Sequence, residues 1–168
     1  HLTVAENVLM GRLPCKGALI DWGEAKRRTM EVVDRLGFDV DPTARIGTLS
    51  IAKRQMVEIA KALARNAKII VLDEPSAVLA QAEIDQLFRV VRQLARESGV
   101  AFVYISHRLR EVFELSDTVT VLRDGMTVKT LDCHADEISE DIIIRNMVGR
   151  DLEDRYPPRS VPIGETIL

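Results

Sequence analysis

The chain has 168 residues, of which 46% are hydrophobic and 29% are charged, and its formal net charge is −3. This composition excludes a disordered tail, a collagen-like repeat and a disulfide-rich mini-protein. The longest apolar run, residues 100–105, is far shorter than the roughly 20 residues that span a bilayer, so no membrane-spanning segment is expected. Few residues are aromatic and the charge balance is acidic, which argues against a nucleic-acid partner.

The first part of the chain, residues 1–66, has the residue pattern of helices. Thr3 is the start of a capping box and predicts a short first helix. A second helix is predicted between Asp21 and Gly37, and a third begins after Ser50. The third helix has apolar residues at the spacing of one helical face, namely Met56, Ile59, Ala60 and Leu63. We therefore expect a helical subdomain over residues 1–66.

After residue 66 the pattern changes to alternating strands and helices. Short apolar runs that are typical of buried parallel strands occur at residues 69–72, 100–105 and 118–122. Asp124-Gly125 predicts a hairpin turn, and a last helix is predicted between Ser139 and Gly149. Strands that alternate with helices predict an α/β fold in which right-handed crossovers join parallel strands.

Two carboxylates and an imidazole directly follow the predicted strands. Asp73 and Glu74 come after the strand at 69–72, and His107 comes after the strand at 100–105. Because ligands bind beyond the carboxyl ends of strands in an open parallel sheet, we expect these side chains to meet at one edge. An aspartate there suits Mg²⁺, a glutamate can orient or deprotonate water, and a histidine can hydrogen-bond a phosphate oxygen. Each residue alone also fits a strand end or a cap.

The order and spacing of these segments resemble the nucleotide-binding domains of ABC transporters. Residues 49–55, Leu-Ser-Ile-Ala-Lys-Arg-Gln, resemble the signature motif, and residues 69–75 resemble the Walker B motif with its glutamate. Residues 77–80 occupy the position of the D-loop, and Ser106-His107 occupies that of the switch histidine. A closer resemblance is to the first cassette of the tandem ATPase subunit of bacterial monosaccharide importers, whose signature is degenerate in a similar way.

The resemblance implies a P-loop NTPase-type α/β fold of the ABC ATPase kind, with a parallel sheet that is incomplete in this chain. Residues 1–66 would be the helical subdomain that carries the signature motif. Residues 67–150 would be the C-terminal half of the α/β ATPase core. Residues 151–168, which contain three prolines, would be a linker towards a second cassette.

The resemblance also implies a role for each site residue. Glu74 would polarise the attacking water, His107 would contact the γ-phosphate, and Asp73 would hold Mg²⁺ through water. Signature and D-loop residues would bind ATP held mainly by the facing cassette, and they are Ser50, Ile51, Ala52, Gln55, Ala77 and Leu79.

For the full-length protein the resemblance implies ATP hydrolysis coupled to sugar import, with ATP and Mg²⁺ as cofactors. Its partners would be a second ATP-binding cassette, transmembrane permease subunits and, indirectly, a periplasmic sugar-binding protein. The permease would present a coupling helix to the helical subdomain, so the protein would lie peripherally on the cytoplasmic face of the inner membrane. Other subunits would select the sugar.

The sequence departs from the family pattern in two respects. It contains no G-x-x-x-x-G-K-[ST] phosphate loop and no Q-loop glutamine, so it corresponds to the back half of a cassette. The family strand before that loop would lie between the strands at 100–105 and 118–122, so we expect unpaired edges, poor solubility and no ATPase activity of this segment alone. In addition, Ile51 and Ala52 replace the paired signature glycines, and Ala80 replaces the D-loop aspartate.

These replacements fit either a weakened site or a decayed copy. Two alternatives to a piece of a sugar importer therefore stay open. One is a truncated or decayed product that binds no nucleotide, and the other is a non-transport ABC ATPase.

Overall fold

The computed structural model describes residues 1–149. These residues belong to two compact units, one from His1 to His107 and a second that begins at Arg108. The predicted linker at residues 151–168 lies outside the described residues. Among residues 1–149, no helix is both long enough and apolar enough to cross a membrane.

The first unit contains four helices, one 3₁₀ turn and two pairs of strands. In chain order these are α1 (Val4–Val8), β1 (Cys15–Lys16), β2 (Leu19–Ile20), α2 (Trp22–Leu36), the 3₁₀ turn (Ile46–Thr48), α3 (Ile51–Ala64), β3 (Ile69–Asp73), α4 (Gln81–Ser98) and β4 (Ala101–Ile105). The second unit contains α5 (Leu109–Leu115), β5 (Thr118–Arg123), β6 (Met126–Asp132) and α6 (Glu140–Val148).

The predicted helix starts in the first unit are confirmed by side-chain caps. The Thr3 hydroxyl accepts a hydrogen bond from the Glu6 N–H at 3.2 Å, and the Glu6 carboxylate accepts one from the Thr3 N–H at 2.7 Å. Asp21 caps α2 and Ser50 caps α3, each through its side-chain oxygen alone. Each cap satisfies an N–H group that has no partner within its own helix. α2 ends at Gly37, as expected, in a left-handed conformation.

Helices α1, α2 and α3 pack around a small apolar core. Its buried members include Val4, Val8, Ala25, Val33, Leu36, Met56, Val57, Ile59, Ala60 and Leu63. Thr29 is also fully buried, and its hydroxyl is satisfied because it donates a hydrogen bond to the Ala25 carbonyl at 2.9 Å. This core holds α3, whose amino end carries the signature-like residues, against the first two helices.

We predict that part of the stability of α2 depends on pH through Glu24. Hydrogen bonds from Arg27 and Arg28 lower the pKa of Glu24 from its usual 4.5 to about 2. Because the folded-state pKa is depressed, this stabilisation is present above pH 4.5 and is lost as the pH falls towards 2. In amide hydrogen exchange, wild-type α2 should be better protected than α2 of Glu24→Gln above pH 4.5, with the difference vanishing near pH 2.

Glu97→Gln on α4 is the control for this measurement and should show no such pH-dependent difference in α2. A difference between wild type and Glu24→Gln that persists unchanged near pH 2 would contradict the assignment.

Strands β3 and β4 form a parallel pair, in which Ile69 lies opposite Ala101 and Asp73 lies opposite Ile105. Helix α4 covers one face of this pair with buried Ile84, Leu87, Phe88, Val91 and Leu94. The opposite face is exposed at Ile69, Val71, Val103 and Ile105. The expectation that both strands are buried on both faces is therefore wrong for the first unit, because its helical layer lies on one face only.

In the second unit, β5 and β6 form an antiparallel hairpin with a register shift between Val121 and Leu122. The predicted turn at Asp124-Gly125 is confirmed, since both residues have positive φ, as a two-residue hairpin requires. Ile143 of α6 packs with Val119 and Val121 to form the core of this unit. The predicted start of α6 after Ser139 and its end at Gly149 are also confirmed.

The expectation that β5 continues one parallel sheet is not met among residues 1–149. There the hydrogen-bonded strands occur as three separate pairs, β1-β2, β3-β4 and β5-β6. A two-residue connection can only join antiparallel neighbours, so the turn commits one edge of β5 to β6.

Candidate active site

The sequence-predicted carboxylates and imidazole lie at the carboxyl ends of β3 and β4. Asp73 is the last residue of β3 and stands directly opposite Ile105, the last residue of β4. Glu74 follows Asp73, and His107 comes two residues after Ile105. The two strand ends are therefore level, which brings the side chains that follow them to one edge of the pair.

Glu74 is held by the end of β4 at two points. Its backbone N–H donates a hydrogen bond to the Ile105 carbonyl at 2.9 Å. Its Oε1 atom forms a hydrogen bond with His107 Nδ1, also at 2.9 Å. The predicted proximity of Glu74 and His107 is thus confirmed, although their proposed roles stay predictions.

The backbone of Glu74 adopts an uncommon conformation. Its φ is +46°, in the left-handed region that residues other than glycine rarely occupy, and buried Pro75 follows it. Such strain persists only where surrounding contacts hold the residue in place, and it is concentrated at functional sites. Here the Ile105 carbonyl and His107 supply those contacts.

The two oxygens of the Glu74 carboxylate have different surroundings. The side chain is 36% exposed and that of His107 is 71% exposed, so the pair is open to solvent on one side. Oε2, by contrast, is buried and has no hydrogen-bond partner among the described residues. A buried carboxylate oxygen without a donor is costly, so a donor such as a bound water would be stabilised there.

Asp73 places one exposed carboxylate beside Glu74. Among residues 1–149, no group of three or more His, Cys, Asp and Glu side chains is arranged to hold a metal ion. One hard oxygen ligand still fits Mg²⁺, because this ion usually keeps several waters and binds through one or two carboxylates and phosphate oxygens. The donor set is therefore compatible with Mg²⁺ bound together with a nucleotide.

The signature-like residues lie at the amino end of α3. The Ser50 hydroxyl accepts a hydrogen bond from the Lys53 N–H at 3.3 Å, and the Ser50 side chain is exposed. Ile51 is 41% exposed at the first helical position, while Ala52 and Gln55 are half-buried. The structure accounts for Ser50 as a helix cap, and nucleotide binding by these four residues stays a prediction.

The D-loop-like residues lie in the turn between Glu74 and α4. The Ala77 N–H donates to the Glu74 carbonyl at 3.2 Å, and the Leu79 N–H donates to the Ser76 carbonyl at 3.1 Å. Ala77 is exposed and Leu79 is half-buried. The methyl side chain of Ala80 cannot cap α4. The Ala80 N–H donates a hydrogen bond to the Glu83 carboxylate at 2.9 Å. This turn is therefore hydrogen-bonded to the backbone of Glu74.

Sequence reasoning did not identify two features of the site, the Ile105 carbonyl and the left-handed backbone of Glu74. The carbonyl belongs to an apolar residue whose side chain carries no chemical signal. Its role could have been found only from the register of β3 against β4, which places Asp73 opposite Ile105.

Comparison with known proteins identifies the relatives of this chain. Residues 1–77 match the family described as ABC transporter. The chain is 50% identical to the ribose import ATP-binding protein of Corynebacterium glutamicum and 42% identical to the L-arabinose transport ATP-binding protein of Geobacillus stearothermophilus, over 99% and 100% of its length. It is 45% identical, over 99% of its length, to the galactose/methyl galactoside import ATP-binding protein of Escherichia coli. The chain spans about a third of these relatives, 31–33% of their length.

Solved structures with the same fold are ATP-binding cassettes. A metal-chelate type ABC transporter in an inward-facing conformation superposes with a TM-score of 0.73 at 22% identity, over 88% of this chain and 59% of that one. A dimeric cassette in a post-hydrolysis state bound to ADP and Pi superposes with a TM-score of 0.64 at 24% identity, over 79% of this chain and 57% of that one. These likenesses show the α/β fold of ABC ATPase cassettes.

Proposed function

Because this chain belongs to the ABC transporter family, we propose that it is part of an ATP-hydrolysing subunit that powers sugar import. The names of relatives that are 42–50% identical support import of a monosaccharide, since they specify ribose, L-arabinose and galactose. The carboxylates and the imidazole at the ends of β3 and β4 support ATP hydrolysis. The observation that carries the proposal is the Glu74–His107 pair beside Asp73, held at one strand edge.

Asp73 would hold Mg²⁺ through water, and the bound ion would neutralise charge on the phosphate oxygens. Glu74 would accept a hydrogen bond from the attacking water through its carboxylate. As the water oxygen bonded to the γ-phosphorus, the bond between that phosphorus and the bridging oxygen would break. The bridging oxygen would leave as part of ADP with the electron pair, and the water proton would pass to Glu74. His107 would donate a hydrogen bond to a γ-phosphate oxygen and so hold the group that is transferred.

The amino end of α3 would contact the γ-phosphate of a nucleotide bound mainly by a facing cassette. The first N–H groups of a helix have no intrahelical partner and lie at the positive end of the helix dipole, which favours phosphate. Ser50 would contribute its hydroxyl and Gln55 its amide. The side chains of Ile51 and Ala52 keep the backbone farther from a phosphate than glycines would, which supports a weaker composite site. Ala77 and Leu79 would face the second cassette.

The helical subdomain would receive the transmembrane permease. Trp22 is exposed there and lines a groove of about 520 Å³. The groove is lined by Thr3, Ala5, Glu6, Trp22, Gly23, Lys26, Pro42 and Thr43. Apolar side chains exposed beside a groove suit the docking of a short helix. Such docking would place the subunit on the cytoplasmic face of the inner membrane, with a periplasmic sugar-binding protein as an indirect partner.

Asp73→Asn tests the proposed binding of Mg²⁺. In the full-length protein, we expect this substitution to raise the Mg²⁺ concentration needed for half-maximal ATP binding roughly tenfold or more. The reason is that the asparagine amide has no negative charge to offer the ion. The measurement is a Mg²⁺ titration of ATP affinity in wild type and variant. Asp85→Asn on α4 is the control and should behave as wild type. An unchanged titration in Asp73→Asn would refute the metal role.

A further inference from the structure

The backbone conformation of Glu74 is strained for two reasons. Among residues 1–149, the residues other than glycine with a positive φ are Asn66, Glu74 and Asp124. Asparagine and aspartate have short polar side chains that tolerate the left-handed region, whereas glutamate does not. In addition, Glu74 precedes Pro75, and a proline restricts the residue before it to extended conformations with negative φ. The φ of +46° at Glu74 therefore conflicts with its residue type and with its neighbour.

A hydrogen-bonded turn fixes the chain directly after Glu74. The Ala77 N–H donates to the Glu74 carbonyl at 3.2 Å, so residues 74–77 form a β-turn with Pro75 at its second position. The proline ring presets the φ that this position requires, and Pro75 is buried. Before the turn, the Glu74 N–H donates to the Ile105 carbonyl at 2.9 Å. Glu74 is thus placed between two fixed points, and its left-handed conformation is the one that joins them.

The side-chain contacts of Glu74 do not by themselves explain where its carboxylate lies. Oε1 is bonded to His107, which is 71% exposed, and Oε2 is buried without a hydrogen-bond partner among the described residues. We propose that Pro75 is a positioning residue for ATP hydrolysis. By fixing the turn, it keeps Glu74 in the left-handed conformation and so determines where the carboxylate meets the attacking water. The inference rests on the proposed function, which assigns the proton of that water to Glu74.

Replacing Pro75 should release the strain and misplace the carboxylate. Without the ring, the second position of the turn is no longer preset, and Glu74 can relax towards negative φ. A small displacement of a catalytic group lowers the rate of the chemical step strongly, whereas buried Pro75 offers no surface to the nucleotide. In the full-length protein, we expect Pro75→Ala to lower kcat for ATP hydrolysis about tenfold and to change KM less than about twofold.

A double-mutant cycle with Glu74→Gln tests whether Pro75 acts through Glu74. Single-turnover hydrolysis of radiolabelled ATP is measured for the full-length wild type, the two single variants and the double variant. Once the carboxylate has been replaced, Pro75→Ala has no general base left to misplace. In the Glu74→Gln background it should therefore lower the rate less than about twofold.

Pro42→Ala is the matched control for this cycle. Pro42 is also buried, and it is the second residue of a turn that the Ala44 N–H closes on the Asp41 carbonyl at 3.0 Å. Unlike Glu74, Asp41 does not have a positive φ. Any factor by which Pro42→Ala changes the rate should be the same with and without Glu74→Gln.

Amide hydrogen exchange provides a readout that does not depend on the reaction. In the full-length protein, Pro75→Ala should accelerate exchange of the Glu74 amide about tenfold, because its hydrogen bond to Ile105 is then held from one side only. The amides in the middle of β3 should exchange as in wild type. Pro75→Val keeps a branched apolar side chain in the buried space and should have the same effects on rate and exchange. It replaces Pro75→Ala in every measurement if that variant does not bind ATP.

The outcomes separate the inference from the proposed function. If Glu74→Gln lowers the rate but Pro75→Ala costs the same factor in both backgrounds, Pro75 supports the fold in general and the inference is wrong, while the role of Glu74 stands. An unchanged kcat in both Pro75 variants, or an unchanged Glu74 amide, would overturn the inference in the same way. If Glu74→Gln itself leaves the rate unchanged, the proposed role of Glu74 is wrong and the inference fails with it.

Discussion

Replacing Glu74 with glutamine in the full-length protein is expected to lower ATP turnover about 10²-fold or more while ATP binding is retained. Glutamine has nearly the same size as glutamate, and its amide oxygen can still accept a hydrogen bond from His107. It cannot take a proton from water, so only the chemical step should suffer. The measurements are steady-state turnover and equilibrium binding of ATP in the same preparation.

Glu97→Gln, an exposed glutamate on α4, is the control and should turn over as wild type does. Turnover that is unchanged in Glu74→Gln would show that the carboxylate at the end of β3 does not activate water. A fall in turnover that merely follows a loss of ATP binding would assign Glu74 to binding and not to the reaction.

The second large effect is expected from Phe88→Ala, which acts on the scaffold of the site. Phe88 is 2% exposed on α4, and its ring contacts that of Tyr104 on β4 edge to face, with centroids 6.0 Å apart. Truncation leaves a cavity between α4 and β4, and losses at such sites are about 3–5 kcal/mol. We expect the slow amide hydrogen exchange of β3 and β4 to accelerate accordingly when measured in the full-length protein.

Phe113→Ala makes the same chemical change at a ring that is 38% exposed on α5, and it should cost far less. Equal effects of the two substitutions on β3 and β4 would mean that α4 does not hold these strands. Amide protection that is unchanged in Phe88→Ala would lead to the same conclusion.

The local elements of this fold could be predicted because their signals are contained in a few adjacent residues. Thr3, Asp21 and Ser50 begin helices through hydrogen bonds to N–H groups three residues later. Asp124-Gly125 reverses the chain because both residues tolerate positive φ. Such interactions depend little on the rest of the molecule, so the sequence pattern and the structure agree at these positions.

The partners of the strands could not be predicted in the same way. The apolar runs at 69–72 and 100–105 predict burial, yet Val71 and Val103 are exposed. Periodicity reports which residues favour burial and not which element covers them. The pairing of β5 with β6 is the exception, because the hairpin turn at Asp124-Gly125 predicts it. Where strands are distant in sequence, local patterns do not encode which elements cover or pair with them.

The site shows the same division. The proximity of Glu74 and His107 could be predicted, because both follow parallel strands and such strands end at one edge. The backbone hydrogen bond from Glu74 to Ile105 and the left-handed φ could not, since they depend on the register of β3 against β4. These two unpredicted features hold the backbone of Glu74 at the end of β4.

The central claim is that Glu74 activates the water that cleaves ATP, and the nucleotide retained by Glu74→Gln tests it most directly. The full-length variant and wild type are incubated with Mg²⁺ and ATP, separated from free nucleotide, and the bound nucleotide is analysed. The account predicts that Glu74→Gln retains ATP with its γ-phosphate intact, while wild type retains mainly ADP. ADP bound to Glu74→Gln in the same proportion as to wild type would contradict it.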